Sequence, residues 1–197
     1  MKILLFDHPQ DVTQKELDKD LQQLPHWRRE KALAYHFLID QVLCTKAYLL
    51  LKQGLRELYN IDTNPEFDYI AHDKPILRDY PDIHFNLSHC HSGVLCVMDS
   101  QPIGCDIEEV ENELDQNLCR HCFSDNEISD IYHSQDPCVA FTRMWTMKEA
   151  VLKLTGEGIT DDLPQLFHNK DMNKFDFRTY SYNNKKTIYT ICKSKKQ

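Results

Sequence analysis

The chain has 197 residues, 41% of them hydrophobic, with only five glycines and a net charge of −8. That length fits one compact domain or two small packed lobes, and the composition excludes a disordered or fibrous chain. An acidic body argues against nucleic acid as a partner. No apolar run is long enough for a signal peptide or a membrane span, so a cytoplasmic protein is expected.

Residues 2–6 read as a strand that Asp7 cuts short. Residues 11–24 have weak helical character. From 27 to 59 the pattern is strongly helical. Leu33, Phe37, Val42, Tyr48, Leu49, Leu51, Leu55 and Leu58 form a broad apolar stripe with no proline inside it. Short strands are expected at 67–71, 76–77, 82–86, 93–98 and 102–108, with turn residues between them. The second half starts with helices at 113–121, 125–133 and 137–155. It ends in a hairpin, 175–182 and 186–192, around Asn183-Asn184. Each half runs from helix to strands, which suggests two similar lobes, 1–100 and 101–197, forming one compact unit. A lobe interface is a natural place for a ligand cleft.

The charge is uneven. Residues 170–197 hold eight basic and two acidic residues, a balance of +6, which leaves −14 of the net −8 on the rest. A solvated strand pair with a lysine-rich end accounts for the basic stretch. The eight cysteines show no repeated Cys-x-x-Cys spacing of a zinc ribbon. They are expected as free buried thiols. His84, His89, Cys90 and His91 do not make a transition-metal site, because strand alternation splits them between two faces.

The chemistry concentrates in two segments. In Trp145-Thr146-Met147-Lys148-Glu149-Ala150-Val151-Leu152-Lys153, Glu149 and Lys153 lie four residues apart. On a helix that spacing puts a carboxylate and an ammonium on one face. The Gly156-Glu157-Gly158 end is a helix C-cap signal. In Gly104-Cys105-Asp106-Ile107-Glu108, a strand would point Asp106 and Glu108 to one side. Gly104 is read as permitting close approach of a ligand or an unusual backbone angle. Three carboxylates from two elements can hold a hard divalent cation such as magnesium, and Lys148 and Lys153 can hold phosphates. Ser88 and His89 can donate hydrogen bonds to phosphate oxygens. Lys74, stiffened by Pro75, can present its charge from an extended segment.

Taken together, Lys74-Pro75, Asn86-Leu87-Ser88-His89, the Gly104 to Glu108 strand, Phe123-Ser124 with Glu127, and the Trp145 to Gly158 block resemble the 4′-phosphopantetheinyl transferase superfamily, Sfp-type. The resemblance implies an α+β fold, a pseudo-dimer of two similar lobes with the active site between them, acting as a monomer. It implies transfer of the phosphopantetheine arm of coenzyme A to a serine of an apo acyl, peptidyl or aryl carrier protein, with release of adenosine 3′,5′-bisphosphate. By that resemblance Asp106, Glu108 and Glu149 bind magnesium, with Asp106 also beside coenzyme A. Glu149 is the base for the carrier serine, and Lys153 steadies or protonates the leaving phosphate. Lys74, Pro75, Ser88, His89 and Lys148 contact coenzyme A. For its 3′-phosphate, Lys52 is the best positional match, whereas Arg28 and Arg29 align less cleanly. Asp73 stands where the family often has glycine. The competing readings are a catalytically silent module that binds coenzyme A or a carrier, and another magnesium-dependent nucleotide phosphodiesterase.

Overall fold

The computed structural model describes residues 1–158, 162–184 and 186–195. The lysine-rich end therefore lies partly outside the described residues. Strand β1 (Lys2–Phe6) is followed by helix α1 (Gln14–Leu21), which starts at a capping box between Thr13 and Glu16. The expected helix over 27–59 is two helices, α2 (His26–Leu33) and α3 (Leu38–Tyr59). The chain leaves helical geometry at Phe37, whose φ is −93° and ψ 143°. The apolar stripe concealed the break because Leu33 and Phe37 belong to the surface, 51% and 65% exposed. Buried Val42, Tyr48, Leu51 and Leu55 do form the inner face of α3.

A short hairpin, β2 (Phe67–Tyr69) and β3 (Pro75–Leu77), leads to β4 (His84–Cys90) and β5 (Gly93–Asp99). Strand β5 is buried along its whole length, between β1 and β4, in a three-stranded antiparallel sheet ordered β1-β5-β4. The chain then crosses into β6 (Ile103–Glu109) and helices α4 (Gln116–Cys122), α5 (Asp125–Tyr132) and α6 (Pro137–Thr155). A one-turn helix, α7 (Leu166–Asn169), precedes the hairpin β7 (Phe175–Tyr182) and β8 (Thr187–Ser194). Asn183 and Asn184 make its turn with φ of 53° and 55°, the positive angles that a two-residue hairpin loop requires. The second sheet is ordered β6-β8-β7, again antiparallel. Both sheets thus place their first strand at one edge and their last strand in the middle, and each is accompanied by one long helix. The fold class is mixed α and β.

The two sheets meet through β4 and β6. Asn86 bridges them, its Oδ1 accepting a hydrogen bond from the Cys105 backbone N–H at 3.1 Å. Leu95 and Val97 of β5 share one apolar cluster with Ile103, Cys105 and Ile107 of β6 and Ile191 of β8. Burying these side chains together ties the halves into one body. Helix α6 lies on β6 and β8. Asp136 caps its start with Pro137 in the first turn, and Gly156, at φ 75°, closes its end.

Gly104 has a different role from the one expected. A Cβ there would collide with the Ala150 carbonyl oxygen and come within 2.5 Å of the Leu154 backbone nitrogen. The missing side chain lets β6 pack directly on the backbone of α6. Close approach is indeed what the glycine provides, but to a helix and not to a ligand.

Candidate active site

That packing brings the two chemical segments together. Asp106 points off β6 and Glu149 and Lys153 point off α6, into a cleft between the sheets. Two adjoining cavities of about 470 and 290 Å³ make up the cleft, and both are lined by Leu87, Glu149 and Lys153. The larger also receives Ser88 and His89 from β4, Asp106 and Glu108 from β6, and Trp145 from α6. The smaller receives Lys74 and Pro75. Most of the expected site residues therefore converge.

At the centre is a tight polar knot. Lys153 Nζ donates to Asp106 Oδ1 at 2.5 Å and to Ser88 Oγ at 3.0 Å, and it stands 3.9 Å from the Glu149 carboxylate. Ser88 Oγ donates to the same Asp106 oxygen at 2.8 Å. Asp106 Oδ2 and Glu149 Oε1 are buried with no hydrogen-bond partner among the described residues. An orphaned buried carboxylate oxygen is costly unless something cationic or protic joins it. Burial pushes the Glu108 carboxyl up to about 7, with the nearby Asp106 charge adding to the rise and Lys153 opposing it. Glu149 is also raised by burial, against the pull of Lys153. For Lys153 burial works against the charge, but Asp106 outweighs it and holds the ammonium above its ordinary value. The site thus concentrates more negative charge than one lysine neutralises.

An oxygen-only donor set with two unpartnered buried oxygens suits a hard divalent cation. Among the described residues, no three His, Cys, Asp or Glu side chains yet converge closely enough to hold one. The Lys153 ammonium occupies Asp106 Oδ1.

Two expected ligands lie elsewhere. Lys148 is 0% exposed. Its Nζ donates to Cys122 O at 2.9 Å, Leu163 O at 2.9 Å and Glu127 Oε2 at 2.8 Å, with the Phe123 and Phe167 rings around it. All three ammonium protons are used inside the protein, so none remains for a phosphate. The reason is helical phase: one residue before Glu149 is about 100° away around α6. Lys52 is outside the cleft as well, donating to Asn64 Oδ1 at 2.8 Å on the exposed side of α3. In its place the cleft presents Arg28 and Lys31 of α2, with Tyr35 and Asp40 nearby. Arg28 spends one nitrogen on Cys44 O at 3.0 Å and keeps a buried Nε without a partner. Arg29 is turned away, bonded to Leu21 O and Leu24 O. The i, i+3 spacing of Arg28 and Lys31 was the available signal. The resemblance pointed instead to Lys52, because Arg28 and Arg29 align less cleanly with it.

Lys74 is anchored at the other end, donating to Leu154 O at 2.8 Å near the close of α6. Burial lowers its pKa. The turn before it puts His72 and Asp73 both at φ 55°.

Comparison with known proteins places the chain in a family. Residues 102–195 match the sequence pattern of the 4′-phosphopantetheinyl transferase superfamily. The chain is 32% identical over 158 residues to 4′-phosphopantetheinyl transferase psf-1 of Bacillus pumilus, covering 77% of this chain and 67% of that protein. It is 30% identical over 165 residues to 4′-phosphopantetheinyl transferase Sfp of Bacillus subtilis (strain 168), covering 81% of this chain and 72% of that protein. This chain belongs to the 4′-phosphopantetheinyl transferase superfamily. A shorter match, 37% over 101 residues, is to the transferase HetI of Nostoc sp., covering 48% of this chain and 43% of that protein. The superfamily match takes in β6 and α6 together, the two elements that supply Asp106, Glu108, Glu149 and Lys153. No described helix is long and apolar enough to cross a membrane.

Proposed function

We propose that this protein is an enzyme that moves the 4′-phosphopantetheine arm of coenzyme A onto a serine of an apo carrier protein and releases adenosine 3′,5′-bisphosphate. The observation that carries the proposal is the gathering of Asp106, Glu149 and Lys153 in one cleft, in a chain of this superfamily. Halves 1–100 and 101–197 are two similar α+β lobes, and the cleft between them is the active site. The matching strand orders of the two sheets support that division. Both halves of one chain line the cleft, which is consistent with a working monomer. Eight free cysteines fit the reducing cytoplasm.

The reaction forms a bond from the serine Oγ to the phosphorus that bears the pantetheine arm and breaks the bond from that phosphorus to the bridging diphosphate oxygen. A serine hydroxyl is a weak nucleophile until a positioned base takes its proton. Glu149 is that base, because it lines the cleft and its Oε1 is buried with no hydrogen-bond partner among the described residues. Burial raises its proton affinity, which improves a carboxylate as a base while leaving a narrower pH window in which it is ionised. Lys153 neutralises or protonates the phosphate that leaves. Lys74 and Pro75 at one end of the cleft, and Ser88, His89, Arg28 and Lys31 at the other, hold coenzyme A. Asp106, Glu108 and Glu149 would hold a magnesium ion, which would neutralise diphosphate oxygens.

The test is to incubate the protein with coenzyme A, magnesium and a panel of apo acyl and peptidyl carriers, and to weigh the carriers intact. A carrier that gains one phosphopantetheine, and fails to do so after chelation, is the expected result. Coenzyme A binding with no gain on any carrier would favour a silent binding module. Bisphosphate release without a carrier would favour a phosphodiesterase.

A further inference from the structure

Lys153 lines both cavities of the cleft. It rests on Asp106 Oδ1 at 2.5 Å, with its side chain 31% exposed and that of Asp106 only 2%. Ser88 Oγ donates to the same oxygen. A carboxylate oxygen has two lone-pair positions, so these two donors fill Asp106 Oδ1. The unpartnered oxygens, Asp106 Oδ2 and Glu149 Oε1, belong to the same cluster. One cation of the protein's own thus sits among carboxylates that suit a metal ion.

We propose that Lys153 is an internal competitor for the divalent cation. Its ammonium holds Asp106 Oδ1, and a diphosphate in the cleft draws it away and opens that oxygen. The inference rests on the reading that Asp106, Glu108 and Glu149 hold a divalent ion. An ammonium and a divalent cation cannot share one carboxylate oxygen without strong repulsion in a half-buried site. A lysine has a flexible four-carbon stem, so it can swing from the carboxylate to a phosphate at little cost. Divalent-ion binding is therefore weak in the free protein and strengthens when a diphosphate gives the ammonium another partner. The two ligands promote each other, as reciprocal coupling requires. A site built this way does not trap a metal ion before substrate arrives.

The experiment measures Mn²⁺ binding to the full chain by electron paramagnetic resonance, without and with coenzyme A. Lys153→Met should bind Mn²⁺ about tenfold more tightly than the unaltered protein when coenzyme A is absent. Lys31→Met removes an equal charge from α2, which lines the same cavity, and should tighten binding far less. Equal or weaker binding by Lys153→Met overturns the proposal. Equal gains in Lys153→Met and Lys31→Met assign the effect to net charge alone and also overturn it. The unaltered protein supplies an independent check. The Lys153 ammonium resonance in ¹⁵N-lysine spectra should shift when Mg²⁺ and coenzyme A are added together, and an unmoved resonance refutes the swing. If the unaltered protein binds no Mn²⁺ even with coenzyme A, the metal site itself is misassigned, an outcome distinct from failure of the competition.

Discussion

Replacing Gly104 with alanine adds one methyl group at the contact that brings Asp106 to Glu149. The added Cβ would collide with the Ala150 carbonyl oxygen and lie 2.5 Å from the Leu154 nitrogen and 2.9 Å from the Leu154 Cα. All three obstacles are backbone atoms of α6, which cannot rotate aside as a side chain can. Overpacking a core costs about 1–3 kcal/mol when neighbours adjust, so a helix that must move as a body belongs at the upper end, about 3 kcal/mol. For a chain of this size that lowers the melting temperature by about 6–12 °C. Gly93→Ala is the control. There the added Cβ meets the ends of the Tyr182 and Ile107 side chains first, which can yield, so a smaller loss is expected. Glu149 and Lys153 ride on the displaced helix, so Gly104→Ala should also lose turnover even at a temperature where it is fully folded. Urea titration and carrier modification at 15 °C would measure both effects. A Gly104→Ala protein as stable as Gly93→Ala, with undiminished turnover, would refute the claim that this glycine sets the distance between β6 and α6.

Glu149→Gln should keep the fold but lose about 100-fold or more in turnover, because it removes the base and a cation ligand together. Near-normal turnover in the carrier assay would refute that role. Lys148→Met leaves Glu127 and two carbonyl oxygens buried without their cation, and should cost about 3–5 kcal/mol in a urea titration. A loss under about 1 kcal/mol would show the ammonium to be dispensable to the fold. Tyr48 is 1% exposed, and burial pushes its hydroxyl from 10.0 to about 12. Between those values the folded chain keeps a proton that the unfolded chain has lost, so stability falls as pH rises from about 10 to 12, by up to about 2.7 kcal/mol. Tyr48→Phe should flatten that part of the stability profile, and an unchanged slope would assign the loss to other groups.

Much of the fold could be read from the sequence because its signals are local. The strand at β6 and the helix over Pro137–Thr155 follow from residue spacing, a proline at the helix start and a glycine past its end. The hairpin around Asn183-Asn184 follows from turn chemistry. The break between α2 and α3 had no such marker. Neither glycine nor proline interrupts residues 34–37, and the apolar Leu33 and Phe37 that seemed to continue the stripe are surface residues. Where an exposed leucine sits is decided by tertiary packing, which periodicity does not record. The break bears on the site, since Arg28 and Lys31 of the separate helix α2 line the cleft.

The two lysines of the motif helix show why residue type alone does not assign a role. Lys148 and Lys153 are five residues apart, so their side chains leave α6 about 140° apart. Lys153 shares the face of Glu149, four residues before it, and so looks into the cleft with Asp106 and Ser88. Lys148 looks the other way, where the end of α4, Glu127 of α5 and Leu163 before α7 converge on it. Burial alone would lower the pKa of either ammonium, and for Lys148 it does so despite Glu127. Asp106 reverses the balance at Lys153. One ammonium therefore fastens three segments behind the helix, while the other stays charged in front of it, at the wall of the cleft. The short run from Lys148 to Lys153 thus links the packing of the second half of the chain to the chemistry of the cleft. A change at Lys148 should reach Glu149 through the helix backbone, whereas a change at Lys153 should act on the carboxylates directly.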